Sequence, residues 1–93
     1  MTTSARVILT SAPTPETVSR ARALLTFAAL CAVGGAATMR GTYDPADVSR
    51  RADAMVSRMV DALAHARPVD AAEAHMVAAA IRTAGGTCDV VPA

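Results

Sequence analysis

The chain contains no lysine, asparagine, glutamine or tryptophan, and only Phe27 and Tyr43 are aromatic. With aromatics this scarce, a core has to be assembled from Leu, Val, Ile, Met and Ala, with helices in close approach. The two cysteines, Cys31 and Cys88, stand far apart and form no CxxC pair, so free buried thiols in a reducing cytoplasm are expected rather than a disulfide. The two histidines, His65 and His75, belong to no HxxxH or HExxH pattern, and neither glycine pair, Gly34-Gly35 or Gly85-Gly86, has the spacing of a phosphate-binding loop. Charge of one sign is also lacking: nine Arg face eight Asp and Glu, a net +1, too little for a global field that would draw the chain to nucleic acid or anionic lipid. These absences leave no recognisable catalytic constellation. No catalytic residue, metal site or cofactor is expected.

What is present is apolar. Hydrophobic residues make up 53% of the 93 positions, which excludes disorder and suits one domain spanning residues 1–93. Much of that fraction is Ala. Burial per residue is then modest, and a homodimer is one expectation. The abundant Ala, with Arg as the sole basic side chain, fits a high-G+C bacterial or phage genome. The dominant stretch lies between Arg22 and Arg40, where no residue is charged. A helix that is apolar all round is buried in a core or in a bilayer. Its length, short of the ~20 residues a span needs, and the Gly34-Gly35 pair favour a core helix. Arg20 and Arg22 before an apolar run resemble a signal peptide, but about twenty residues precede the run and Met1 heads the chain, so no cleaved leader is expected. A cytoplasmic protein with no membrane partner is the expectation.

Taken in order, Met1 to Ser4 are expected to fray. Residues 5–11, with Val7-Ile8-Leu9, read as a strand ended by Pro13. Thr14 caps a first helix over about 15–33, with Pro15 at its first position and Gly34-Gly35 ending or bending it; residues 36–43 are left open between one more helical turn and a loop with Gly41. Asp44-Pro45-Ala46-Asp47 starts a second helix over about 45–66. Val48, Ala52, Met55, Met59, Ala62 and Ala66 form its buried stripe, while Arg50, Arg51, Asp53, Arg58 and Asp61 lie mainly on the other side. Residues 67–69 are a break or a short edge strand. Asp70 and Glu73 have the form of a capping box for a third helix over about 71–84, closed by Gly85-Gly86. Ala74, Val77, Ala78, Ile81 and Ala84 form its inner stripe. Residues 87–91 alternate as a final strand. The class is α+β: a small two- or three-stranded sheet covered by three helices, in the order β-α-α-(β)-α-β.

That order is similar to the order in the ClpS adaptor and in the C-terminal domain of ribosomal protein L7/L12. Val7-Ile8-Leu9, a short loop and Thr14-Pro15 resemble the ClpS strand-to-helix entry. Ala72-Glu73-Ala74-His75 and Cys88-Asp89-Val90-Val91-Pro92-Ala93 resemble its closing helix and strand, and the helix-Ala84-Gly85-Gly86-strand ending also resembles L7/L12. The likeness covers about half of the chain. It implies an α/β sandwich and an adaptor-like domain, with His65 at the place of a family histidine and Asp61 where the family has a pocket methionine. Thr10-Ser11-Ala12 stands where ClpS has an acidic run that holds a substrate's amino terminus, so that activity is not implied.

Three patterns remain as candidate binding features. Arg50, Arg51 and Arg58 make a basic patch on the second helix, with Asp47 at pairing distance along it. Met55, Met59 and Met76 could line an adaptable groove, although at helical spacing methionines more often serve as core. His65 sits near a helix C-terminus, where a protonated ring is favoured by the dipole. The expected function is a non-enzymatic protein–protein interaction module, an adaptor or a small phage-type inhibitor of a host protein. It would bind a protein or peptide through Arg50, Arg51, Met55, Arg58, Met59 and His65. A homodimeric nucleic-acid-binding regulator using the Arg clusters stands second, and a small oligomeric enzyme with interface sites third.

Overall fold

The computed structural model describes residues 3–93. The elements run β1 (Ser4–Leu9), α1 (Pro15–Arg40), α2 (Pro45–Ala64), β2 (Val69–Asp70), α3 (Ala71–Thr83) and β3 (Cys88–Pro92). This is the α+β order β-α-α-β-α-β, and the segment left open between break and strand does pair, at 69–70 rather than 67–69. Ser4 opens β1 instead of fraying; Met1 and Thr2 lie outside the described residues.

β1 is the middle strand, in the order β2-β1-β3, with both neighbours antiparallel. Its partners run from Ala5 opposite Pro92 to Leu9 opposite Cys88, and Ser4 and Ala5 face Asp70 and Val69. Alternation then sorts the side chains: Ala5, Val7 and Cys88 are buried beneath the helices, while Ser4, Ile8, Asp89 and Val91 are exposed on the other face. β1 stops at Leu9 rather than residue 11. Beyond it the Ser11 and Thr87 hydroxyls still meet at 2.8 Å.

α3 packs on β1 and β3, and α1 packs across both α2 and α3. The inner stripe expected of α3 is buried throughout: Ala74, Val77, Ala78, Ile81 and Ala84. In α2, Val48, Ala52, Val56, Met59 and Ala62 are buried and the arginines point out. Burial of each large apolar side chain of this kind contributes about 1.5–3 kcal/mol.

The caps divide. Thr14 accepts a hydrogen bond from the Thr17 N–H at 3.2 Å, as its position before Pro15 implies. Asp44 occupies the N-cap of α2 but makes no side-chain cap bond. Asp70 caps α3 by accepting from the Ala72 N–H at 2.8 Å. Glu73 does not close the expected box; its carboxylate is taken by Arg58 of α2. All three helices end in one pattern. Gly41 (φ 71°) and Gly85 (φ 101°) take the left-handed position after α1 and α3, and Ala66 (φ 51°) takes it after α2. There the Arg67 N–H reaches the Ala62 carbonyl at 2.8 Å, equivalent to Thr42 on Ala37 and Gly86 on Ile81.

α1 departs most from expectation. It does not stop at Val33 but continues through Gly34-Gly35 to Arg40, 26 residues in all. Alanines follow the glycines and sustain the helix, and Gly34 is covered by Tyr43 and Val48. The shortness that argued against a membrane span therefore does not hold: α1 is long and apolar enough to cross a bilayer, by length and composition. Nor is α1 buried all round. Leu25, Ala29, Gly34 and Ala37 face inward, but Phe27 is 69% exposed and Met39 90%. Cys31, expected in the core, is exposed; only Cys88 is buried.

Candidate functional site

The six residues singled out on α2 part company. Met59 is 0% exposed and lies in the main core cluster, so it cannot meet a partner. Its position between Val56 and Ala62 on the inner stripe is the reason. Met55, one turn earlier, is half-buried at the edge of that cluster. Arg50 and Arg51 are exposed and share the Asp47 carboxylate, with Arg51 Nε 2.9 Å from one oxygen and Arg50 on the other. Arg58 pairs with Glu73 across to α3. His65 ends α2: its Nδ1 is 2.9 Å from the Asp61 carbonyl oxygen, and Arg67 Nη1 is 2.9 Å from the Asp61 carboxylate. Exposed ion pairs of this kind contribute only about 0–1 kcal/mol each. Their effect is to fix the guanidinium groups in place on the helix.

Three of the six meet α1 around a groove. The second half of α1 supplies Val33, Ala36 and Arg40, and α2 supplies Arg51, Met55 and Arg58, around a hollow of about 410 Å³. Ala32 and Ala54 complete it, so the floor is shallow and apolar with a thioether in it. A second hollow of about 250 Å³ shares Val33, Arg40 and Arg51 and adds Asp47 and Thr42.

The groove carries more positive charge than its ion pairs neutralise. The lining guanidinium groups of Arg40, Arg51 and Arg58 stand against two carboxylates, Asp47 and Glu73, a surplus of one charge, and Asp47 is shared with Arg50. Arg40 has no carboxylate partner among the described residues. Guanidinium groups bind carboxylates in a two-pronged fashion and stay charged throughout the physiological range, so the rim suits an anionic ligand whose remainder is apolar.

Arg50 stands beside this groove at Asp47 without lining it, and His65 lies at the other end of α2. The α1 contribution was missed in the sequence because the first helix was ended at Val33. The signal was there: Val33, Ala36, Ala37 and Arg40 follow each other at three- and four-residue spacing, which only a continuing helix would place on one side.

Elsewhere, Leu9, Val18, Leu25, Val60, Leu63 and Ile81 help to line an apolar cavity of about 140 Å³ at the other end of the α1–α2 seam. It opens to the surface past Leu9, Val18 and Arg22. Among the described residues, no three metal-ligating side chains gather, and no polar or charged side chain is buried. The Cys88 thiol lies against the Ala78 carbonyl at 3.9 Å. No family model, no curated protein and no solved structure matches the chain.

Proposed function

We propose that the chain is a non-enzymatic interaction module that binds an acidic, amphipathic peptide segment in the α1–α2 groove. Acidic side chains of the ligand sit on Arg40, Arg51 and Arg58, and its apolar face rests on Val33, Ala36 and Met55. The observation that carries this reading is the surplus of guanidinium charge around an apolar floor, with Arg40 unpaired among the described residues. The small side chains of Ala32, Ala36 and Ala54 let a ligand backbone approach, which favours a helix laid in the groove. The domain order resembles that of ClpS and L7/L12, both of which act by holding other proteins, and this supports the same reading. An adaptor and a small inhibitor would use such a groove alike.

The test is selection of binders from a displayed library of random 15-residue peptides. Selected peptides should be enriched in Asp and Glu at three- and four-residue spacing beside Leu, Ile or Met. They should bind in the micromolar range and weaken with salt, because the rim charges are open to water. The combined Arg40→Glu, Arg51→Glu and Arg58→Glu variant should lose the selected peptides. Enrichment without acidic residues, or peptides that bind this triple variant equally well, would overturn the proposal. Binding of a random DNA duplex that the triple variant loses, with no peptide enriched, would move the groove to nucleic acid instead.

A further inference from the structure

α1 leaves much of its apolar surface uncovered. Among the described residues, five of the nine exposed large hydrophobics lie on this one helix: Val18, Leu24, Phe27, Leu30 and Met39. At 100° per residue, Leu24, Phe27, Cys31, Gly35 and Thr38 follow one another along the outward side, with Leu30 flanking Phe27. From Ala23 to Met39 this stripe carries no charge. Arg22 and Arg40 are turned to the opposite side, where they line the apolar cavity and the groove.

Two further observations say what covers the stripe. The chain exposes 5721 Å². A monomeric domain of 9.5 kDa normally exposes about 5,000 Å². The excess, about 700 Å², approaches the ~800 Å² per partner that a stable protein interface buries. The stripe is also complementary to itself. Around Cys31, two antiparallel copies of α1 place Phe27 of one opposite Gly35 of the other, and Leu24 opposite Thr38. Gly35 has open space where a side chain would stand, with nothing within 4 Å. The large residue of each copy thus meets the gap of the other, as an isologous two-fold contact requires.

We infer that the chain forms a homodimer through the outward face of α1, with the two helices antiparallel and Cys31 near the two-fold axis. A bilayer is the less suited occupant. Leu25, Ala29 and Ala37 tie α1 into the core, so a helix that left to span a membrane would strip the domain of its centre. The inference stands apart from the peptide groove, which lies on the other side of the helix.

Sedimentation equilibrium decides it. The chain should run as a dimer at tens of micromolar. Phe27→Glu, an exposed substitution that leaves the helical circular dichroism unchanged, should weaken dimerisation by at least about thirty-fold. Gly35→Leu, which fills the gap, should do the same. Diamide, which takes up two electrons and two protons as two thiols form one disulfide, should cross-link the chain between copies. Cys31→Ser should abolish that product, which distinguishes it from any reaction of buried Cys88. A chain that is monomeric at all these concentrations would overturn the inference. So would a dimer untouched by Phe27→Glu and Gly35→Leu, or a monomer that floats with vesicles of phosphatidylcholine and phosphatidylglycerol. Were both variants to lose their fold, sedimentation of the unaltered chain would still decide.

Discussion

α1 and α2 are both long, both rich in apolar residues and packed on each other, yet they reach opposite outcomes. In α2 charged residues separate the apolar ones at helical spacing, and one rotation about the axis buries Val48, Ala52, Val56, Met59 and Ala62 while every arginine stays in water. α1 has no polar side to fix its rotation. The residues it buries are mostly small, Ala29, Gly34 and Ala37 beside Leu25, and the large Phe27 and Met39 stay outside. Hydrophobicity decides that such a helix is wanted somewhere. Close approach of α1 to α2 and α3 at the small Ala29, Gly34 and Ala37 decides which side goes in.

The comparison can be broken at Met59 and Phe27. Met59→Ala removes a fully buried side chain of α2 and should destabilise the fold by about 2–5 kcal/mol in urea denaturation. Phe27→Ala, the larger deletion by volume, should change the stability of the dilute monomer by no more than about 0.5 kcal/mol. Equal losses at the two positions would mean that the outward face of α1 is buried within the monomer. Next in size is Gly86→Ala. A Cβ there would lie 2.8 Å from Ile81 Cγ2 and 3.3 Å from the Ile81 carbonyl oxygen, and about 1–3 kcal/mol of stability should be lost. The smallest effects sharpen the contrast by opposite exchanges. Gly34→Ala within α1 meets only ordinary contacts at 3.5 and 3.6 Å and should raise stability by about 0.5–1 kcal/mol. Ala66→Gly at the end of α2 should also raise it by about 0.5–1 kcal/mol, because the residue there is left-handed (φ 51°). Thermal unfolding read by circular dichroism checks both.

The legible parts of the fold were those where one local rule acts alone. Alternating charge and apolar spacing placed α2 and α3, and Gly85-Gly86 closed α3 where the chain turns. The end of α1 was misread because a glycine pair stops a helix only when its neighbours do not sustain one, and Ala36 and Ala37 do. The exposure of Phe27 and Cys31 had no signature, since an all-apolar helix contains no phase information. Half of the groove was legible in Arg51, Met55 and Arg58. The other half depended on α1 reaching Arg40, and Met59 could be told from Met55 only by the rotation of α2 against its neighbours. Glu73 shows the same limit: its spacing from Asp70 suited a capping box, but a cation from another helix, Arg58, outcompeted the backbone N–H.

The position of β1 in the sheet sets a timetable for synthesis. Residues 4–9 are made well before the residues they pair with, 69–70 and 88–92. At the ~5–20 residues per second of translation, the strand waits about 4–17 s for its partners. During that interval Val7, Ile8 and Leu9 have no ladder, and α1 has only α2 to pack against until α3 is made. The nascent chain can therefore bring its helices together before a sheet exists, and closure of the core waits on β3.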